Sequence, residues 1–351
     1  MKRLLAALIS TAALAGFPAI AQNAAPDIQF NSAPNPLTMP DDIYLGEVGG
    51  VATNAQGDIF VYTRTGQPTV SLGGSRAFAH GGSRLFHFDR NGRYVGEIGK
   101  DSYGFMFANQ VRIDPQNNIW VVDQMSSMVI EFDPTGRNVL LLLGRKPESI
   151  NIPVRAAAAE GGPGAGPPGA GRPQDVFDRP TDVAWDSAGN IFVADGLGNA
   201  RIAKFDRDGK FIKSWGQKGT APGQFANVRS IAVDTQGNVY AADGGNHRIQ
   251  VFDNNGTFKT EYDNLGNPQA LCLTSGANPV LYVSDSNPPN NIDIAGVIYK
   301  MTLDGRIMGK FGHAGKQLGE FGTVNEIDCR NPNQLYVGEV GNLRVQKITL
   351  R

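Results

Sequence analysis

Short alternations of apolar and polar residues run along this chain, where helices would show three- to four-residue stripes. The segment GNIFVADG (189–196) has counterparts in GDIFVYTR (57–64), NNIWVVDQ (117–124), GNVYAADG (237–244), PVLYVSDS (279–286) and NQLYVGEV (333–340). A second short alternating segment precedes each: VATN, VRID, VAWD, IAVD, ALCL or IDCR. Further strands follow, such as RIAKFD and RIQVFD, then turns such as DRNG, DPTG, DRDG and DNNG, and closing strands such as FIKSWG.

Period-two segments joined by Gly and Asx turns predict four antiparallel strands per repeat. One such sheet leaves both faces short of partners, whereas six set radially cover each other. The pattern therefore predicts an all-β fold, a six-bladed β-propeller. The last repeat stops after RVQKITLR (344–351), and DDIYLGE (41–47) stands unpaired before the first. That N-terminal strand is expected to complete the last blade and close the ring.

Repetition also separates scaffold from site. Asp195, Asn199 and Arg201 recur as Asp243, Asn246 and Arg248, and in part as Asn342 and Arg344. A side chain reused in several blades is read as a turn device, with the Asp accepting backbone N–H groups and pairing with the Arg. DRDG (206–209) looks like half a calcium loop, but it recurs and lacks the later carboxylate, so it is read as a hairpin turn.

Composition adds the setting. Met1-Lys2-Arg3, an apolar run to about Phe17 and Ala19-Ile20-Ala21 read as a secretory signal peptide over 1–21. A linker at 22–40 and the propeller at 41–351 follow, with a disordered Gly/Pro/Ala-rich insert at about 156–175. The expected product is exported, periplasmic or secreted. The apolar run is too short for a comfortable bilayer span, and no second one follows, so no integral membrane anchor is expected. Lys and Arg number 32 against 33 Asp and Glu, which gives nucleic acid no electrostatic hold. Cys272 and Cys329 are read as free buried thiols, with pairing as the alternative that export would allow.

Departures from the repeat mark candidate function. Residues entering the innermost strands ring the channel mouth: Gly49-Gly50, Asn109-Gln110, Thr181-Asp182, Arg229-Ser230, Pro268-Gln269 and Asn325-Glu326. The charges expected there are Asp182, Arg229 and Glu326, either binding a ligand or lining a water-filled tunnel. Longer loops at 64–83, with Arg64, Arg76 and His80, and at 286–296, with Asp293, open on the same face. The chain has no G-x-S-x-G, H-E-x-x-H or C-x-x-C, and its four His lie on distant repeats.

The repeats resemble those of NHL-repeat propellers, and in particular the peptidyl-α-hydroxyglycine α-amidating lyase domain. The resemblance is best from FDRPTDVAWD (177–186) through GNHRIQVF (245–252) and extends to GEVGGVATNAQGDIFVYTR (46–64). It implies a zinc held by three His at positions that are Asn109, Arg229 and Asn325 here, which makes zinc unlikely. The lyase's catalytic Tyr falls on Leu197; of its two substrate-binding Arg, one falls on Gly244 and the other is kept as Arg64. The resemblance also implies a channel calcium on Val48, Val111 and Glu326, with Glu326 pairing with Arg229 as the alternative.

The first reading is thus a module binding a ligand, peptide or partner protein through Arg64, His80, Asn109, Asp182, Arg229 and Asn325, with lyase chemistry lost. The second is a divergent metal-dependent lyase or lactonase-like enzyme, and the third a subunit of an envelope complex.

Overall fold

The computed structural model describes residues 25–65, 69–72, 76–79, 82–144, 177–287, 291 and 293–351, the two short stretches 69–72 and 76–79 by backbone alone. The expected signal peptide, His80 and the insert at 156–175 lie outside these residues, as does the side chain of Arg76. Among the described residues the strands form six four-stranded antiparallel sheets, one small hairpin, Thr69–Leu72 with Arg76–Ala79, and one short parallel pair, His313–Ala314 with Glu320–Phe321. The sheets are the blades of a propeller.

The innermost strands are Glu47–Thr53, Ala108–Ile113, Asp182–Trp185, Val228–Val233, Pro268–Leu273 and Val324–Asn331. Each lies against the next, and the last against the first, so the ring is closed. Between neighbouring blades sits an apolar layer. Phe60, Tyr62, Phe105 and Ile130 fill the one between blades one and two, and Phe192, Phe225, Ile231 and Phe252 the one between blades three and four. Alternation puts successive side chains on opposite faces of each blade, and both faces are buried.

The ring closes on an N-terminal strand, but not the one expected. Phe30–Ala33 pairs with Arg344–Leu350 as the outer strand of blade six, in the register Phe30 to Leu350. The stretch read as a linker therefore carries the closing strand. Just upstream, Ile28 N–H donates to Lys310 O and Lys310 N–H to Pro26 O, stitching blade five to the same segment. Residues 41–46 form no strand; Ile43 and Leu45 instead pack over the apolar layer between blades six and one.

The repeated polar turns behave as the sequence indicated. Asp195 accepts Asp178 N–H, Asn199 Nδ2 and Arg201 Nε, and Asp243 accepts Ala226 N–H, Asn246 Nδ2 and Arg248 Nε. Glu339 does the same for Gly322, Asn342 and Arg344. In DRDG, Asp206 accepts the N–H groups of Asp208 and Lys210, closing the hairpin. Cys272 and Cys329 correct another expectation: they form a disulfide between the innermost strands of blades five and six.

Candidate functional site

Five of the innermost strands carry a bulge where they begin, seen as register shifts at Val48/Gly50, Ala108/Gln110, Val228/Ile231, Pro268/Leu271 and Val324/Glu326. A bulge sets two residues against one and re-aims their side chains. Here it brings the predicted mouth residues toward the axis. Gly49 and Gly50 are required by close approach, because a Cβ on either would collide with the backbone of blade two.

The two Asn at the mouth are committed to neighbouring blades. Asn325 Nδ2 donates to Gly49 O (2.6 Å) and to Asn109 O (2.8 Å), while its Oδ1 accepts Gln269 Nε2 (2.9 Å). Asn109 Nδ2 donates to Thr181 O, and Thr181 Oγ1 donates onward to Val228 O (2.8 Å). This branched network of amide and hydroxyl hydrogen bonds reaches all six blades. Both Asn are buried. Arg64, the candidate at the start of the 64–83 loop, is paired with Glu47 (2.9 Å), donates to Ala108 O and lies over the Phe107 ring.

Asp182 and Glu326 are not at the mouth. Both are buried deeper in the channel and converge on Arg112, which the sequence reading passed over. Arg112 donates in bidentate fashion to Asp182 (Nε 2.9 Å, Nη2 2.7 Å) and also reaches Ser230 Oγ and Leu271 O. Asp182 is further held by Ser230 Oγ–H (2.6 Å) and the N–H groups of Val183 and Ile231. Arg112 Nη1 lies 2.7 Å from Glu326 Oε1, but neither Glu326 oxygen has a hydrogen bond among the described residues. Burial pushes the Glu326 carboxyl up well above its ordinary range, and Asp182 and Asp328 add repulsion that Arg112 only partly offsets. Arg112 is held charged by its two carboxylate neighbours despite its burial.

Arg112 stands in register opposite Trp120, where blades one, three and four place Ala52, Ala184 and Ala232 opposite Phe60, Phe192 and Tyr240. Blade six places Asp328 at the same position, opposite Tyr336, so charges where other blades carry Ala were the signal available. Below it the channel widens into a cavity of about 400 Å³ opening at the opposite end, lined by Arg112, Trp185, Leu271, Glu326, Asp328 and Arg330 among others.

Arg229 remains at the mouth. The pairing with Glu326 considered as an alternative is not formed; Arg229 Nε donates to Asn227 Oδ1 (3.1 Å) instead. Asp293 is exposed, and its N–H donates to Asn291 Oδ1. The described His are scattered: His87 stacks on Phe60, His247 contacts Gly266 O and His313 contacts Ala314 O.

The sequence profile of the Mal s 1 allergenic protein-like family matches residues 79–267. Over 277 residues the chain is 27% identical to peptidyl-alpha-hydroxyglycine alpha-amidating lyase 1 of Drosophila melanogaster, covering 70% of this chain and 45% of that protein. It is 28% identical over 187 residues to NHL repeat-containing protein 3 of Mus musculus, covering 49% and 50%. The chain spans about half or less of the length of these curated relatives. Among solved structures, a streptogramin B lyase superposes with a TM-score of 0.55 over 92% of this chain and 98% of that one, at 14% identity. That likeness is one of fold.

Proposed function

The chain belongs to the Mal s 1 allergenic protein-like family, and from that premise we propose that it is an exported propeller which binds a ligand through its channel mouth and has lost amidating-lyase chemistry. The observation that carries this reading is Asn325, whose Nδ2 hydrogens are both engaged by backbone carbonyls and whose Oδ1 is taken by Gln269. Asn109 is engaged too, its Nδ2 donating to Thr181 O and its Oδ1 accepting Gln124 Nε2. Neither amide offers the ring nitrogen lone pair that a zinc site uses, and the third position, Arg229, is a cation. Zinc does not fit these residues.

Calcium on Val48, Val111 and Glu326 does not fit either. A divalent ion bound to Glu326 would share that carboxylate with a guanidinium whose Nη1 is 2.7 Å from Oε1. Two cations on one carboxylate repel strongly in a buried setting. Arg112 is the channel's own positive charge.

Export is supported by the Cys272–Cys329 bond, since disulfides persist in oxidising compartments. Among the described residues no helix is long and apolar enough to cross a membrane. The enzymatic reading is tested with a peptide ending in α-hydroxyglycine, incubated with the full protein with and without added zinc. No release of glyoxylate is expected; zinc-dependent release would overturn the proposal.

A further inference from the structure

Arg229 has an unusual setting for an arginine in the throat of a protein. Among the described residues its side chain makes one hydrogen bond, from Nε to Asn227 Oδ1, and no carboxylate lies within ion-pair distance of it. Its terminal nitrogens have no acceptor among the described residues. The Asn227 oxygen is shared with Gly245 N–H (3.0 Å), so the guanidinium is steered but not neutralised. Room for it comes from Gly244: a Cβ there would stand 3.1 Å from Arg229 Cγ and 2.8 Å from Pro268 O.

A second arginine faces the same place. Arg179, just before the innermost strand of blade three, donates through Nη2 to Leu197 O (3.1 Å). The adjoining Gly196 abuts Val228 O, one residue from Arg229. Arg179 holds a left-handed φ of 59°, a conformation disfavoured for L side chains. Such strained residues cluster at functional sites.

The acids of this face are engaged elsewhere. Asp195 and Asp243 hold their turns and Arg201 and Arg248, and Asp285 accepts Asn267 N–H. Asp178 lies 3.5 Å from Arg179 Nε and leaves Arg229 unneutralised.

We infer that Arg229 and Arg179 form an oxyanion site at the channel mouth, taking the carboxylate or phosphate group of a small ligand. A guanidinium presents paired N–H donors that match such oxygens. Burial and the Arg179 charge both press Arg229 toward losing its proton, a cost that a bound anion would relieve. The inference rests on the mouth being the binding face and gives that face a ligand chemistry.

The test uses the full protein, with acetate followed by saturation-transfer NMR and inorganic phosphate by phosphorus line broadening, at constant ionic strength set with chloride. Wild type is compared with Arg229→Gln, with Arg179→Gln in case the first variant does not fold, and with Lys210→Gln as an exposed control for lost charge. Wild type and Lys210→Gln should respond alike to at least one anion, and either arginine variant should bind it roughly tenfold more weakly or less. A stronger response to acetate would identify carboxylate ligands, and a stronger one to phosphate, phosphorylated ligands. A wild type that responds to neither, or arginine variants that bind as wild type does, would overturn the site while leaving the mouth open to neutral ligands. Turnover of a hydroxyglycine peptide would instead overturn the non-catalytic reading and leave this site standing.

Discussion

Arg112 Nη1 meets Glu326 Oε1 at 2.7 Å, on a guanidinium already held in bidentate fashion by Asp182. One buried cation thus serves two buried carboxylates, and they are not equivalent. Asp182 accepts a hydroxyl and two backbone N–H groups besides the guanidinium, whereas Glu326 has only the off-line contact. Asp182 is the fully hydrogen-bonded partner, and burial makes Glu326 resist ionisation.

Arg112→Met and Glu326→Gln should therefore differ in sign. Removing Arg112 strands Asp182 without a counter-charge and should cost about 3–5 kcal/mol. Glu326→Gln leaves the Arg112–Asp182 pair intact and removes a buried acid, so it should be neutral or stabilising at pH 8. Urea unfolding of both variants checks this. A Glu326→Gln protein as damaged as Arg112→Met would show that Glu326 is the essential partner.

The same asymmetry gives a pH dependence. Burial raises Glu326 above its ordinary 4.5, and burial together with Asp114 pushes Glu131 up to about 7. A carboxyl whose folded pKa is raised holds its proton in the fold after the unfolded chain has released it. Its contribution is complete below pH 4.5 and is lost as pH rises through the folded value. The stability of Glu131→Gln relative to wild type should accordingly rise between pH 4.5 and about 7, and that of Glu326→Gln should likewise rise as the pH climbs above 4.5. Unfolding midpoints measured across this range should show the two trends; a flat difference would contradict the assigned burial.

The closing strand predicts where the chain can be cut. A protein beginning at residue 41 loses Ile28 and Phe30 from the apolar layer between blades five and six, together with the Phe30–Phe311 ring contact at 5.3 Å. Partial burial of these two side chains contributes about 1–3 kcal/mol, less than full burial would, and the edge at Arg344–Leu350 would be left open. Size exclusion and thermal unfolding should show a less stable, association-prone protein. A chain beginning at residue 25 should keep the stability of the full protein.

The Cys272–Cys329 bond closes a loop of 57 residues across two blades. The double Cys→Ser variant should lose about 2–4 kcal/mol. Its unfolding midpoint should no longer respond to reductant, whereas that of the wild type should fall.

These elements differ in how far the sequence revealed them. The blades were readable because period-two runs and Asx-Gly turns recur, and Asp195 and Asp243 could be assigned to turns because each repeats the other. Arg112 was hidden inside VRID, which reads as an ordinary strand until its register against Trp120 aligns it with Ala52 and Ala184. The disulfide joins residues distant in sequence, visible as neighbours only once blades five and six stand side by side. DDIYLGE alternates as a strand should, yet Ile43 and Leu45 serve as a packed cover, while FNSA (30–33) closes the ring with little pattern of its own. At the mouth, Asn109 and Asn325 stood out in the sequence, but residue type alone could not show that their amides bind carbonyls of other blades.

The most direct test of the central claim is the metal content of the full protein, purified without chelator and dialysed extensively. Asn109, Arg229 and Asn325 at the mouth, and Arg112 in the channel, predict zinc and calcium both well below one equivalent, unchanged in Glu326→Ala. One equivalent of zinc would contradict the loss of lyase chemistry, and one equivalent of calcium released in Glu326→Ala would contradict Arg112 as the cation of the channel.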